Sequence, residues 1–225
     1  MNLNSNDSQV NQTCWTLIHR AADGDRLAVE DFARFYEPVI RAYLSVRWNN
    51  SIKSRDLDDA IQDVFVACFG EQGVLNRVDP QRPHGFRPFL FGVIRNIARR
   101  HENKNLPPLL TEEPLDQGTG VSAAFEREFA RSLMRQAAGV QKFNAQAKGP
   151  EAIRRHDLLG LRFRENLPIR EIANRWSVDA AWLHHQYATA REEFRTALKY
   201  VVKFHQPEST DAEIEAECLD LLKTL

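Results

Sequence analysis

The sequence is short of the features that mark several large classes of protein. It has 3 cysteines in 225 residues, Cys14, Cys68 and Cys218. They lie far apart, so neither a disulfide framework nor a zinc-ligand spacing can be assembled from them, and a reducing cytoplasm is the expected compartment. No apolar run approaches the ~18 residues needed to span a bilayer, so no membrane partner is expected. The polar stretch from Met1 to Thr13 has no basic segment followed by an apolar one, and it does not read as a secretory signal. There is no Gly-rich phosphate loop, no nucleophile–base pairing and no metal-ligand spacing, so neither an enzyme nor a cofactor or metal is expected. Strand alternation and internal repeats are missing too.

What is present is helical periodicity and an uneven distribution of charge. Apolar residues make up 43% and charged residues 27%, a globular balance, and the formal net charge is −1. That near-zero total hides alternating blocks. Residues 13–105 carry a net +2, residues 106–124 −3, residues 125–205 +6 and residues 206–225 −5. Two basic bodies are separated by an acidic connector and followed by an acidic tail, a pattern that suits a polyanionic partner. Scattered charge that only keeps a surface soluble would give much the same figure for the first body.

Phe32, Phe35, Tyr36, Val39, Ile40, Tyr43 and Leu44 form one stripe of a long amphipathic helix, with Pro38 a potential kink or break. Trp15, Ile18 and Ala22 suggest a shorter helix ending near Gly24. Ala60, Ile61, Val64, Phe65 and Cys68 make another stripe, as do Phe89, Leu90, Val93, Ile94, Ile97 and Ala98. Residues 105–122 contain Pro107, Pro108, Pro114, Gly118 and Gly120 without periodicity and read as a linker. Helix is expected again from about Ala123 toward Ala138, then over 151–164, 169–176 and roughly 180–200. Thr210 and Glu213 have capping-box spacing and open a last helix with Ile214, Cys218, Leu221 and Leu222 on one side. Its acids are expected to be solvated while that side packs on the preceding body. A sharper possibility is that they fold back on the basic surface as a mimic of DNA.

Two constellations carry chemistry. The first lies between residues 59 and 104. Asp59, Gln62 and Asp63 fall at i, i+3 and i+4 on one polar helical face. Downstream, Arg95, Asn96, Arg99, Arg100 and Lys104 accompany an apolar stripe, and residues 86–104 sum to +4. Cations with amide and aromatic neighbours suit single-stranded DNA, whose phosphates need neutralising and whose unstacked bases need planar or polar partners. Each run alone also fits an ordinary core helix with a solvated face.

The second is Leu167 to Tyr187, which has helix-turn-helix spacing. Ile169, Ile172 and Ala173 face inward, Ser177-Val178 makes the turn, and Asp179 can cap the second helix. Leu183 and Tyr187 anchor that helix, leaving Ala181, Trp182, His184, His185 and Gln186 outward, as a helix entering a major groove requires. Arg170, Arg175, Arg191 and Arg195 flank it and could hold phosphates. The same spacing also suits a hairpin in a purely structural bundle. An ordinary helix-turn-helix regulator, binding a palindromic operator as a dimer, is the main alternative function. A helical adaptor without a DNA role is another.

Taken in order, these residues resemble the extracytoplasmic-function (ECF) sigma factors, the smallest sigma-70-type initiation factors of bacterial RNA polymerase. The resemblance covers residues 13–105 and 125–200. It implies an all-α chain with two helical domains: a region 2-like bundle at 13–105 and a region 4-like helix-turn-helix domain at 123–205. A linker at 106–122 would join them, with an acidic C-terminal helix at 206–225. Asp59, Gln62 and Asp63 would then bind core RNA polymerase. Arg95, Asn96, Arg99, Arg100 and Lys104 would melt and read the −10 element of promoter DNA. Arg170, Trp182, His184, His185, Gln186 and Arg191 would serve the −35 element. Arg100 stands where the family usually has an acid, Ser177 where it has the turn glycine, and His184 and Gln186 where it has basic residues. The run from Trp176 to Phe194 is similar to ECF groups encoded near Ser/Thr kinases, which implies control by such a kinase as well as by an anti-sigma factor.

Overall fold

The computed structural model describes residues 14–49, 55–70, 73–77, 86–102 and 120–224. These residues form nine α-helices and no strand: α1 (Cys14–Ala22), α2 (Arg26–Arg47), α3 (Leu57–Phe69), α4 (Phe86–Glu102), α5 (Gly120–Lys148), α6 (Pro150–Phe163), α7 (Ile169–Trp176), α8 (Ala180–His205) and α9 (Asp211–Thr224). A turn of 3-10 helix at Val74–Arg77 lies between α3 and α4. The all-α expectation therefore holds. Most of the expected linker, and Lys104, lie outside the described residues, while residues 120–122 already belong to α5.

The chain divides into two compact units. The first is Met1–Ser132 with Lys203–Thr210 and Asp220–Leu225, and the second is Leu133–Val202 with Asp211–Leu219. In the first unit, Gly24 takes a left-handed turn (φ 85°) after α1, a conformation glycine adopts without a side-chain clash. Asp25 then caps α2, its Oδ1 accepting from the Leu27 and Ala28 N–H groups at 3.0 and 3.3 Å. Arg20 donates to the other oxygen and holds the Asp25 carboxyl below its ordinary range.

α2 runs unbroken through Pro38, because six residues of its predicted stripe are buried on either side of the proline and hold the helix in place. The seventh, Phe35, is only half-buried. Phe86 at the start of α4 is an aromatic hub, with ring centroids 5.2 Å from Tyr36, 5.8 Å from Phe32 and 6.0 Å from Trp15. Edge-to-face contacts of this kind add to the gain from burying the rings themselves.

Residues 203–210 complete the first unit. His205 is buried, its Nδ1 3.3 Å from the Tyr36 hydroxyl, and its carbonyl accepts from the Cys14 thiol at 3.3 Å. Burial pushes the Cys14 thiol up to about 12 and the His205 imidazole down to about 3. The sequence placed His205 at the end of a C-terminal body. Nothing in the periodicity signals that its ring sits among Tyr36, Phe129 and Phe204.

The second unit is built around Leu158, Ile169, Ile172, Ala173 and Leu183, surrounded by Leu161, Leu167, Trp176, Val178, Ala180 and Tyr187. Gln141 of α5 is buried, and both its side-chain nitrogen and its oxygen meet partners. Its amide donates to the Ala190 carbonyl at 3.1 Å, and its oxygen lies 3.3 Å from His156 Nδ1. Arg155 of α6 makes a two-pronged ion pair with Glu193 of α8 at 2.7 and 3.0 Å.

Candidate nucleic-acid interfaces

In the first unit, α3 places Asp59, Gln62 and Asp63 together on an exposed face, while Ala60, Ile61, Val64 and Cys68 are buried behind it. Asp58 and Asp59 sit in the first turn, where the helix dipole favours negative charge. Two neighbours tie this face to the rest of the unit. Arg41 of α2 reaches Asp58 at 2.9 Å, and Asp63 accepts from His101 Nε2 of α4 at 2.8 Å.

On α4, Arg95, Asn96 and Arg99 are half-buried and Arg100 is exposed, opposite the buried Leu90, Val93, Ile94, Ile97 and Ala98. Arg95 lies close enough to Tyr43 to act on its phenol electrostatically. Glu102, the acid nearest this basic ridge, is held by Arg47 at 2.6 and 2.8 Å and by the Trp48 indole N–H at 2.9 Å. Arg47 accordingly keeps the Glu102 carboxyl below its ordinary range. Arg99 of the ridge also lies near enough to act on Glu102 electrostatically. Sequence reasoning missed Arg47, Trp48, His101 and Glu102. Their pairing joins residues more than 35 positions apart, and no local pattern reports it.

In the second unit, α7 and α8 form a helix-turn-helix. Ser177 adopts the left-handed conformation (φ 52°, ψ 47°), and the Val178 N–H returns to the Ala173 carbonyl at 3.0 Å. Serine thus takes the backbone shape that glycine normally supplies. Asp179 caps α8 by accepting from the Trp182 N–H at 2.7 Å.

Ala181, Trp182, His184 and His185 are exposed, as the sequence suggested. Gln186 differs. It is half-buried beside the aliphatic core, and its side-chain oxygen faces Arg155 Nη1 at 3.5 Å. Trp182 and Gln186 share a shallow cleft with Trp176, Arg154 and Arg155. Arg154 lies over the Trp176 ring at 5.2 Å, and Arg191 over Tyr187 at 5.8 Å. Arg170 is exposed, and Arg175 is 3.5 Å from Glu165. Arg195 also differs from expectation, because Glu215 of α9 pairs with both Arg195 and Lys199.

Among the described residues no three His, Cys, Asp or Glu side chains gather where they could hold a metal ion, and no helix is long and apolar enough to cross a membrane. Compared with protein-family models the chain matches none, and no curated protein matches it.

Proposed function

We propose that the chain is an ECF-type sigma factor, a binding protein that carries core RNA polymerase to promoter DNA and helps open it. The single observation that carries this is the ordered set of polar faces. An acidic-amide helix face is followed by a basic ridge and then by a capped helix-turn-helix. On this reading Asp59, Gln62 and Asp63 dock on the polymerase. Arg95, Asn96, Arg99 and Arg100 hold the −10 strands as they part, with Lys104 just beyond. The helix-turn-helix engages the −35 element.

Each DNA-contacting body would bind weakly alone. Holding both on one polymerase raises the effective concentration of each. Extruding a base costs a few kcal/mol, so several contacts on α4 must act together to offset it. The work is done by binding energy and takes place in the cytoplasm, with no cofactor. An anti-sigma factor would act by covering one of these faces, and a Ser/Thr kinase by phosphorylating the chain.

The test is run-off transcription with purified core polymerase on a promoter pool. A template-dependent product with the wild type, and loss of product with charge reversal at Arg95, Arg99 and Arg100, is the expected outcome. A palindromic site bound by a dimer without polymerase would point instead to an ordinary helix-turn-helix regulator.

A further inference from the structure

We infer that α8 reads a thymine-rich element, with the methyl groups of Ala181, Ala188 and Thr189 seated on thymine 5-methyls. This rests on the DNA-binding reading of the helix-turn-helix and names the sequence class it would take. Leu183 and Ala190 are fully buried and Tyr187 half-buried, which fixes the inward side of the helix. The opposite side, over the first three turns, holds Ala181, Trp182, His184, His185, Ala188 and Thr189, all exposed.

No lysine or arginine occurs between Ala180 and Ala190. The first cation is Arg191, which lies two residues past Thr189, and its guanidinium is engaged over the Tyr187 ring at 5.8 Å. Between Ala181 and Ala190 no side chain can fork onto guanine O6 and N7. The one amide in that stretch, Gln186, is half-buried and turned toward Arg155, so it is not placed to pair with adenine.

Apart from Trp182 and the two histidines, what remains is small and methyl-bearing. The Thr189 hydroxyl donates back to the His185 carbonyl at 3.2 Å, which leaves its methyl as the group that meets a ligand. Two alanines on the same side let the helix backbone come close to the groove floor. Apolar contact with the 5-methyl of thymine is the base contact such side chains make. The ring nitrogens of His184 and His185 add single hydrogen bonds but not a guanine fork. Arg170, Arg175 and Arg191 are left to grip phosphate, which positions the helix without specifying sequence.

The test is selection from a random double-stranded library by the full chain, alone and with core polymerase, followed by uracil-for-thymine replacement in the enriched element. Enrichment of thymine runs is expected, with about fourfold weaker binding for each contacted methyl removed. Ala188→Arg, at an exposed helical position, should move the neighbouring preference toward guanine. A guanine-centred element, no enriched element, or equal binding of thymine and uracil DNA would overturn the inference. Thymine-rich binding indifferent to polymerase would uphold it while removing the sigma-factor reading. Polymerase-dependent binding of a guanine-centred site would do the reverse.

Discussion

Acidification should destabilise the first compact unit through His205. This imidazole is buried among Tyr36, Phe129 and Phe204 and is held neutral, its pKa lowered by burial to about 3. In the unfolded chain it titrates near the ordinary 6.5. Between those values the unfolded state takes up a proton that the folded state refuses, so stability falls as pH falls across that window and is unaffected above it. Each pH unit is worth about 1.4 kcal/mol, so moving from pH 7 to pH 5 should remove about 2 kcal/mol, a substantial part of a domain's net stability. His205→Gln keeps a polar side chain that can meet the Tyr36 hydroxyl but cannot titrate. Urea unfolding followed by tryptophan fluorescence at pH 7 and pH 5 gives the comparison. The variant is expected to be less stable at pH 7 and to close about 2 kcal/mol of that gap at pH 5. A gap of the same size at both values would refute a buried neutral His205.

Three further outcomes follow from particular contacts. Ser177→Gly should stabilise the protein by about 1 kcal/mol in thermal or urea unfolding, since it removes ~1–2 kcal/mol of left-handed strain and adds somewhat less than 1 kcal/mol of unfolded-chain entropy. Glu102→Ala should cost about 1 kcal/mol by the same assays, because it strips Arg47 and Trp48 of a charged partner at a site that solvent still reaches. Glu215→Gln should leave the melting temperature unchanged, since the ion pairs it removes are exposed, yet strengthen binding to duplex DNA at low salt by freeing Arg195 and Lys199. Equal DNA affinity of wild type and variant would show that α9 does not compete for those cations.

Helix positions were legible in the sequence wherever a stripe was long and a stop signal followed. Cys14 to Ala22, the α3 stripe before Gly70, and the Ile172–Leu183 core of the helix-turn-helix all follow from period and punctuation. The Pro38 break did not occur, because burial along both halves of α2 outweighs one lost hydrogen bond. α5 extends to Lys148, ten residues past the expected end, since residues 139–148 contain no breaker stronger than a single glycine.

The candidate faces were legible as lists of residues but not as surfaces. That Asp59 and Arg100 are exposed follows from period, whereas Asp63 meeting His101 and Glu102 meeting Arg47 depend on how α2, α3 and α4 pack. Gln186 and Arg195 were misplaced for the same reason. A long polar side chain on a helix edge turns toward whichever partner a neighbouring helix offers, and here those are Arg155 and Glu215.

The most direct measurement is co-elution of the full chain with purified core RNA polymerase, comparing wild type with Asp59→Lys/Asp63→Lys. Both substituted side chains are exposed, so the fold should survive. The wild type should travel with the polymerase and the doubly reversed variant should not. A wild type that elutes alone, or a variant that binds as tightly as the wild type, would contradict the assignment of this helix face as the docking surface.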